Sequence, residues 1–404
     1  MRVAYVCADL GVPVFGAKGC SIHVQEIVRS FLKRGDQVEL FVARVGGVVP
    51  ATFTQCVVHE FPPGRSHDTA SREIAAQGVA EQISTALADR GPFDLVYERY
   101  SLWSAAGPSV AVETGTPSIL EINAPLIEEQ QQHRELVDAE LAISTSQTAF
   151  SQATSLAVVS AEVARAISAE FEIDANKLHV VPNGVDIDRF SPQVPAALPT
   201  DEFTIGFVGS LKPWHGVESL LQAFCMLHDT GRSARLRIIG DGPMRDQLQR
   251  TYCPPDSEVS QRIEWIGSVS PDAVPSYLTS MNVAVAPYPD LANFYFSPLK
   301  VYEYMACGLA TVASDIGQLK TLIAHQTDGF LYTPCSVAEL AGILAELADN
   351  STVCTEVGRR ARKRAVESFS WDQVLERSLA TIETTAMAKQ HRSYREAIVA
   401  DAHP

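Results

Sequence analysis

The run from Asn293 to Gly308, Asn-Phe-Tyr-Phe-Ser-Pro-Leu-Lys-Val-Tyr-Glu-Tyr-Met-Ala-Cys-Gly, holds the residues whose types and spacing best suit chemistry. Ser297 ahead of Pro298 predicts an N-cap hydroxyl followed by a first helical residue whose missing N–H costs nothing. A helix starting there leaves the amides of Leu299, Lys300 and Val301 without intrahelical acceptors, and its dipole puts partial positive charge at the same end. An anion fits such a terminus, a diphosphate in particular. Glu303 follows one turn later. A carboxylate gains nothing from a phosphate, so its expected partners are sugar hydroxyls. Gly308 ends the helix, and Ala310-Thr-Val-Ala-Ser314 is a strand of apolar type. The local reading is a nucleotide or sugar-diphosphate site; the plain alternative is an ordinary capped helix with Glu303 on the surface.

Positioning that helix takes a scaffold, and the chain reads as two copies of one plan. Val3-Ala-Tyr-Val-Cys7 is a strand, the glycine-bearing loop 9–19 leads into a helix with apolar residues at 24, 27, 28, 31 and 32, and Val38–Val42 is a second strand. This is a Rossmann-like start without the G-x-G-x-x-G fingerprint. Gly16 and Gly19 would let the backbone approach a ligand closely, or serve as a plain turn. Strands near 57–61, 94–97, 118–122 and 156–159 alternate with helical segments such as 68–89 and 128–150, which predicts a mostly parallel sheet. Polar groups end two of these strands, Glu98-Arg-Tyr100 and Glu121-Ile-Asn123. They are read as cleft-lining groups or, for Tyr97, Glu98 and Arg99, as a structural ion pair.

The stretch 191–202 is Pro-rich and aperiodic, a linker by composition. The plan then restarts with strands at 203–209, 235–240, 262–267 and 282–287, the Ser297 to Ser314 run, a strand at 329–332, and helices over 336–349, 352–367 and 372–387. The expected domains are therefore 1–190, joined by the returning helix 372–387, and 203–371, with 388–404 a frayed tail. Asp186-Ile-Asp188 has the spacing of a metal motif, but sits where a turn becomes a helix and is read as structural. Arg359–Arg364 is the densest basic cluster: a solvated helix face, or a weak phosphate or membrane-surface contact.

Composition narrows the function. With 404 residues, two domains are the prior. A net charge of −16 excludes an ordinary nucleic-acid binder. No stretch approaches the roughly 18 apolar residues of a membrane span, and the N-terminus lacks a signal-peptide pattern, so a cytoplasmic protein is expected. The eight cysteines show neither pairing nor metal-ligand spacing, so no metal site is expected.

The order of motifs resembles the GT-B fold retaining glycosyltransferases of the large family-4 class (glycosyl transferases group 1). The residues that carry the resemblance are the Gly-rich first loop, Pro182-Asn-Gly-Val-Asp186, Phe207-Val-Gly-Ser-Leu-Lys-Pro-Trp-His-Gly216, Ile239-Gly-Asp-Gly-Pro243, Ala286-Pro-Tyr288, Pro298 to Gly308 and Asp328-Gly-Phe330. It covers about residues 1–385 and is most specific in the second half. It implies two Rossmann-like domains facing each other across a cleft, an acceptor-side N-terminal domain, and a nucleotide-sugar donor held mainly by the C-terminal one.

The resemblance also implies roles. Glu303 matches the second carboxylate of the family's E-x7-E motif, which binds the ribose. Leu299 and Lys300 match the amides that hold the diphosphate, with Ser297, Gly209, Ser210 and Gly240 beside them, and Gly19 matches the N-domain glycine that approaches the phosphate. Three positions depart from the pattern: Tyr295 stands where the family has its first glutamate, Ser210 and His215 where it has an arginine and a lysine, and Asn123 where many members have a histidine. Tyr295, Asn123, Lys212 and His215 are accordingly the catalytic candidates. The implied activity is metal-independent retaining transfer from a UDP- or GDP-sugar to a soluble or lipid-linked hydroxyl acceptor, without a cofactor. Alternatives are a non-catalytic nucleotide-sugar-binding partner subunit, or a GT-B protein that couples a cyclitol or epimerises the donor.

Overall fold

Strands such as Val3–Val6 and Val283–Ala286 are apolar at successive positions and fully buried, a pattern that only a parallel sheet covered on both faces accommodates. The computed structural model describes residues 1–254, 257–292, 294, 295 and 297–401, without the side chains of 133, 389 and 391–401. Asn293 and Phe296 of the key run, and the last residues of the expected tail, lie outside the described residues.

Two compact units emerge. One comprises Met1–Asn183, Tyr295–Ser297 and the chain from Trp371 onward; the other comprises Gly184–Phe294 and Pro298–Ser370. The first holds β1 (Arg2–Cys7), β2 (Gln37–Val42), β3 (Val57–Glu60), β4 (Leu95–Arg99), β5 (Ser118–Ile122), β6 (Ser155–Val158) and β7 (Leu178–Val180), in the sheet order β3-β2-β1-β4-β5-β6-β7. The second holds β8 (Phe203–Val208), β9 (Ala234–Ile239), β10 (Ile263–Gly267), β11 (Val283–Ala286), β12 (Ala310–Ser314) and β13 (Phe330–Tyr332), in the order β10-β9-β8-β11-β12-β13. All pairings between these strands are parallel. In each sheet the winding reverses once, between β1 and β4 and between β8 and β11. Open α/β sheets bind ligands at such a reversal, beyond the carboxyl ends of the strands.

Several expectations need correcting. Residues 191–202 are fastened to the second unit rather than free as a linker: Ala197 donates to the Ser276 carbonyl at 2.8 Å, Leu198 to Ser280 Oγ at 3.0 Å, and Glu202 takes the Arg262 guanidinium at 2.6 Å. The segment 128–150 is two helices, Leu126–His133 and Ala139–Gln152. The Glu73 carboxylate breaks it by accepting the amides of Val137 and Asp138 at 2.9 Å each. The last helix runs Trp371–Asp401, well into the expected tail. The basic cluster is largely spent on the protein itself. Arg359 and Arg360 pair with Glu356, Arg364 with Asp328, and Arg362 donates to the carbonyls of Ile187, Phe190 and Ala306. Asp186 accepts the amides of Asp188 and Arg189, which is a turn and not a metal motif.

Candidate functional site

In the second unit β8 stays in register with β9 from Phe203 to Val208, but with β11 only at Ile205 and Gly206. Beyond that point β8 and β11 part. Tyr304, on the helix Leu299–Ala306, fills the gap: its hydroxyl accepts from the Val208 amide at 3.0 Å and lies 3.2 Å from the Val208 carbonyl, to which it can donate. Lys300 precedes it by four residues, hence on the same helix face. Its Nζ lies 4.5 Å from the Phe207 ring centroid at the end of β8 and 5.4 Å from the Tyr288 ring just past β11. That nitrogen is buried and has no hydrogen-bond partner among the described residues.

Two glycines make the room. Gly209 has φ +153°, and a Cβ there would stand 2.6 Å from Lys300 Nζ. A Cβ on Gly240, at φ +125°, would stand 1.9 Å from the Gly209 carbonyl oxygen, so that position admits no side chain, whereas at Gly209 the lysine tip would have to shift.

The helix start differs from expectation in its cap. Pro298 is the N-cap residue and no side chain caps the helix. The Ser297 hydroxyl accepts the Asn183 amide at 3.3 Å, and both residues group with the first unit. Val301 bonds back to the Pro298 carbonyl at 3.0 Å. The amides of Leu299 and Lys300 thus remain as donors without an acceptor among the described residues. Leu309 donates to the Tyr304 carbonyl and Gly308 to that of Met305, the paired bonds that close a helix end.

Glu303 shares the pocket. Burial pushes its carboxyl up to about 7, against the pull of Arg189 and Lys300. Burial brings the Lys300 amine down to about 7, partly countered by Glu303. His215 falls to about 4 through burial and the neighbouring Lys300, with Lys212 adding to this, so it is neutral near pH 7. Its Nδ1 contacts the Ser210 carbonyl, and Ser210 Oγ lies 3.4 Å away. His215 is therefore no substitute cation. Lys212 is exposed, its Nζ 4.8 Å above the Trp214 ring. Lys300 brings an amine to this crevice, and Arg189 a guanidinium that acts on Glu303. Sequence reasoning missed Arg189 and Tyr304, although the Lys300/Tyr304 spacing is a visible signal.

The first unit has its own crevice between β1 and β4. Arg99 at the end of β4 is register partner of Glu121 on β5, with Arg99 Nη1 3.7 Å from Glu121 Oε1. The same oxygen accepts Asn123 Nδ2 at 2.7 Å and contacts His23 Nε2. Burial would raise the Glu121 carboxyl, but His23, Arg99 and the Asn123 amide bring it down to about 2. Glu98 does not pair with Arg99. It points to the other face of the strand, where Ser104 Oγ and the Gly107 amide each donate to it at 2.6 Å, and burial lifts it to about 7. Gly19 opens the helix Gly19–Lys33 that carries His23. Tyr295 also belongs to this unit, its hydroxyl donating to Glu129 at 2.9 Å and its carbonyl accepting from Ser160 at 3.0 Å.

Lys300, Glu303, Leu299, Gly209, Ser210, His215 and Gly240 therefore gather in the second unit. Asn123 and Gly19 belong to the first, as do Tyr295 and Ser297. Residues 202–350 match the family model for Glycosyl transferases group 1, and residues 17–189 that for Glycosyltransferase Family 4. The chain belongs to the group 1 and family 4 glycosyltransferases. This glycosyltransferase is 26% identical over 421 residues to D-inositol 3-phosphate glycosyltransferase of Streptomyces scabiei (strain 87.22), covering 94% of this chain and 89% of the relative. It is 25% identical over 297 residues to 2-deoxystreptamine glucosyltransferase of Streptomyces kanamyceticus, covering 69% and 74%. Sucrose-phosphate synthase from Thermosynechococcus elongatus shares the GT-B fold at TM-score 0.70 and 16% identity, covering 98% of this chain and 100% of that one. Anabaena HepE in complex with UDP-glucose does so at TM-score 0.66 and 17% identity, covering 95% and 100%. No helix among the described residues is long and apolar enough to cross a membrane.

Proposed function

We propose that this glycosyltransferase moves a sugar from a UDP- or GDP-sugar to the hydroxyl of a small acceptor, with retention of configuration. The observation that carries the reading is the second-unit crevice, where two amides and the buried Lys300 Nζ, none with a hydrogen-bond partner among the described residues, stand one helical turn from the half-buried Glu303 carboxylate. The amides of Leu299 and Lys300 take the diphosphate, and Glu303 accepts hydrogen bonds from ribose hydroxyls. As the bond between the sugar's anomeric carbon and the diphosphate oxygen breaks, negative charge grows on that oxygen, where preorganised donors lower the barrier most. The acceptor oxygen attacks the oxocarbenium-like carbon from the same face, and its proton passes to the leaving phosphate. No enzyme nucleophile is required.

Asn123 is assigned to the acceptor hydroxyl, because Glu121 holds its amide nitrogen and leaves its carbonyl oxygen as the free group. Tyr295, committed to Glu129, is assigned a positioning role. The UDP-glucose complex of HepE and the D-inositol 3-phosphate and 2-deoxystreptamine relatives support a uridine donor and a hydroxylated small acceptor. Calorimetry with UDP-, GDP- and ADP-sugars, followed by NMR of the product from an acceptor screen, tests this. Micromolar binding of one donor class and a product with the donor's anomeric configuration are expected. An inverted product, or no donor binding, would overturn it.

A further inference from the structure

We propose that the Lys300 side chain, in addition to its backbone amide, is the cation that meets the donor's diphosphate, and that it takes up a proton from solvent as the diphosphate arrives. The inference rests on the donor-site reading above.

Three independent features place the amine there. The first is topological: Nζ stands between the ends of β8 and β11, where the winding of the sheet reverses and the two strands part. The second is spatial. A Cβ on Gly209 would stand 2.6 Å from Nζ, so the loop after β8 lies close against the amine. The third is chemical. The nitrogen is buried against the faces of Phe207 and Tyr288 with no acceptor, a poor setting for a charge that has only ring faces and Glu303 to stabilise it. A diphosphate at the start of the same helix would supply the missing acceptors. In the loop after β8, Ser210 carries no charge and His215 is held neutral, which leaves Lys212, exposed over the Trp214 ring, as the loop's cation beside the buried Lys300 amine.

The groups facing the amine decide what pH can reveal. Glu303 lies on its own helix, His215 on the turn Pro213–His215, and Tyr288 follows β11; Tyr304 lies four residues on, and Arg189 faces Glu303. Burial raises both tyrosines and His215 titrates near 4, so between about pH 6.5 and pH 8.5 only Lys300 and Glu303 change charge. Their signs differ. Binding converts the free amine, R–NH2, to R–NH3+ with a proton from solvent, and the uptake grows as pH rises above 7. Any proton lost by Glu303 on meeting ribose leaves below pH 7, because above it the carboxylate is already ionised.

The test is calorimetry of the full chain with UDP-glucose and GDP-mannose in buffers of different ionisation enthalpy. Neither probe has a phosphate that titrates in this range. Uptake approaching about one proton per donor at about pH 8.5 is expected, with affinity falling up to roughly tenfold per pH unit above 7. Lys300→Arg, charged throughout, should show no uptake and no fall in affinity above about pH 8, where Glu303 is already ionised. Lys300→Met should bind tenfold or more weakly at about pH 6.5, also with no fall above about pH 8, so the idea stays testable if arginine does not fit the pocket. Donor binding without proton uptake, or a Lys300→Met protein that keeps the wild-type pH slope, sinks the inference while leaving the donor site standing. Failure of every nucleotide sugar to bind sinks both.

Discussion

The two sheets wind alike, yet the cations at their reversals have opposite fates. In the first unit Arg99 is matched by Glu121, which also holds His23 and Asn123, so the crevice is close to neutral and its surplus group is an amide. In the second, Lys300 Nζ has neither a hydrogen bond nor an ion pair among the described residues and sits beside unpaired amides. A shared topology marks a reversal in each half, while ion pairing separates them: Arg99 keeps Glu121 as its counter-charge although its Nη1, like Lys300 Nζ, has no hydrogen-bond partner among the described residues, so the paired crevice suits a hydroxyl and the unpaired one an anion.

Removing each cation in turn is the sharpest way to break this contrast. Arg99→Met leaves Glu121 buried without its guanidinium partner and should cost about 3–5 kcal/mol of stability in denaturant unfolding. Lys300→Met removes a charge that nothing pairs, so stability should hold or rise while donor affinity falls. Equal destabilisation by both would erase the distinction. Acid gives a second view of the first unit. Glu121 sits at about 2 in the folded chain, below its ordinary value near 4.3. Its contribution is therefore present above pH 4 and lost as pH falls toward 2. An Arg99→Met protein should show a weaker acid transition there.

Glu303→Ala should weaken nucleotide-sugar binding by tenfold or more, from the loss of charge-assisted hydrogen bonds of about 1.5–3 kcal/mol. Its stability change runs the other way. A carboxyl raised to about 7 favours the folded state less as pH climbs from 4 to 7, because the unfolded chain ionises first. Glu303→Gln should therefore flatten that slope in melting curves, with a higher Tm at pH 8. Asn123→Ala should lower kcat about a hundredfold, at the modest end of what one positioned catalytic group supplies, with donor Kd nearly unchanged, since the proposed donor contacts of Lys300 and Glu303 lie in the other crevice. The smallest effect is expected from Gly209→Ala, about 1–2 kcal/mol for backbone in the left-handed region, with a displaced Lys300 amine and a shallower pH dependence of donor binding.

Local signals carried far into the site. Pro298 and Gly308 announce a helix and its end, because each acts within a turn of its own position. Ser297 misleads for the opposite reason: its hydroxyl is taken by the amide of Asn183, a partner 114 residues away. The break in the segment 128–150 is equally remote, imposed by Glu73 from another helix. Glu98 and Arg99 were readable. Neighbours in a strand face opposite sides, so period two alone rules out a pair between them. The exposure of Lys212 and the burial of Lys300 were not, since both follow from how β8 and β11 diverge, and that divergence has no sequence motif.

The most direct test of the two-crevice account is a structure of the full chain with the nucleotide sugar that calorimetry selects. The account predicts the diphosphate within hydrogen-bonding distance of Lys300 Nζ and the amides of Leu299 and Lys300, with Arg99 still bound to Glu121. A diphosphate held by Arg99, with Lys300 left unpartnered, would contradict it.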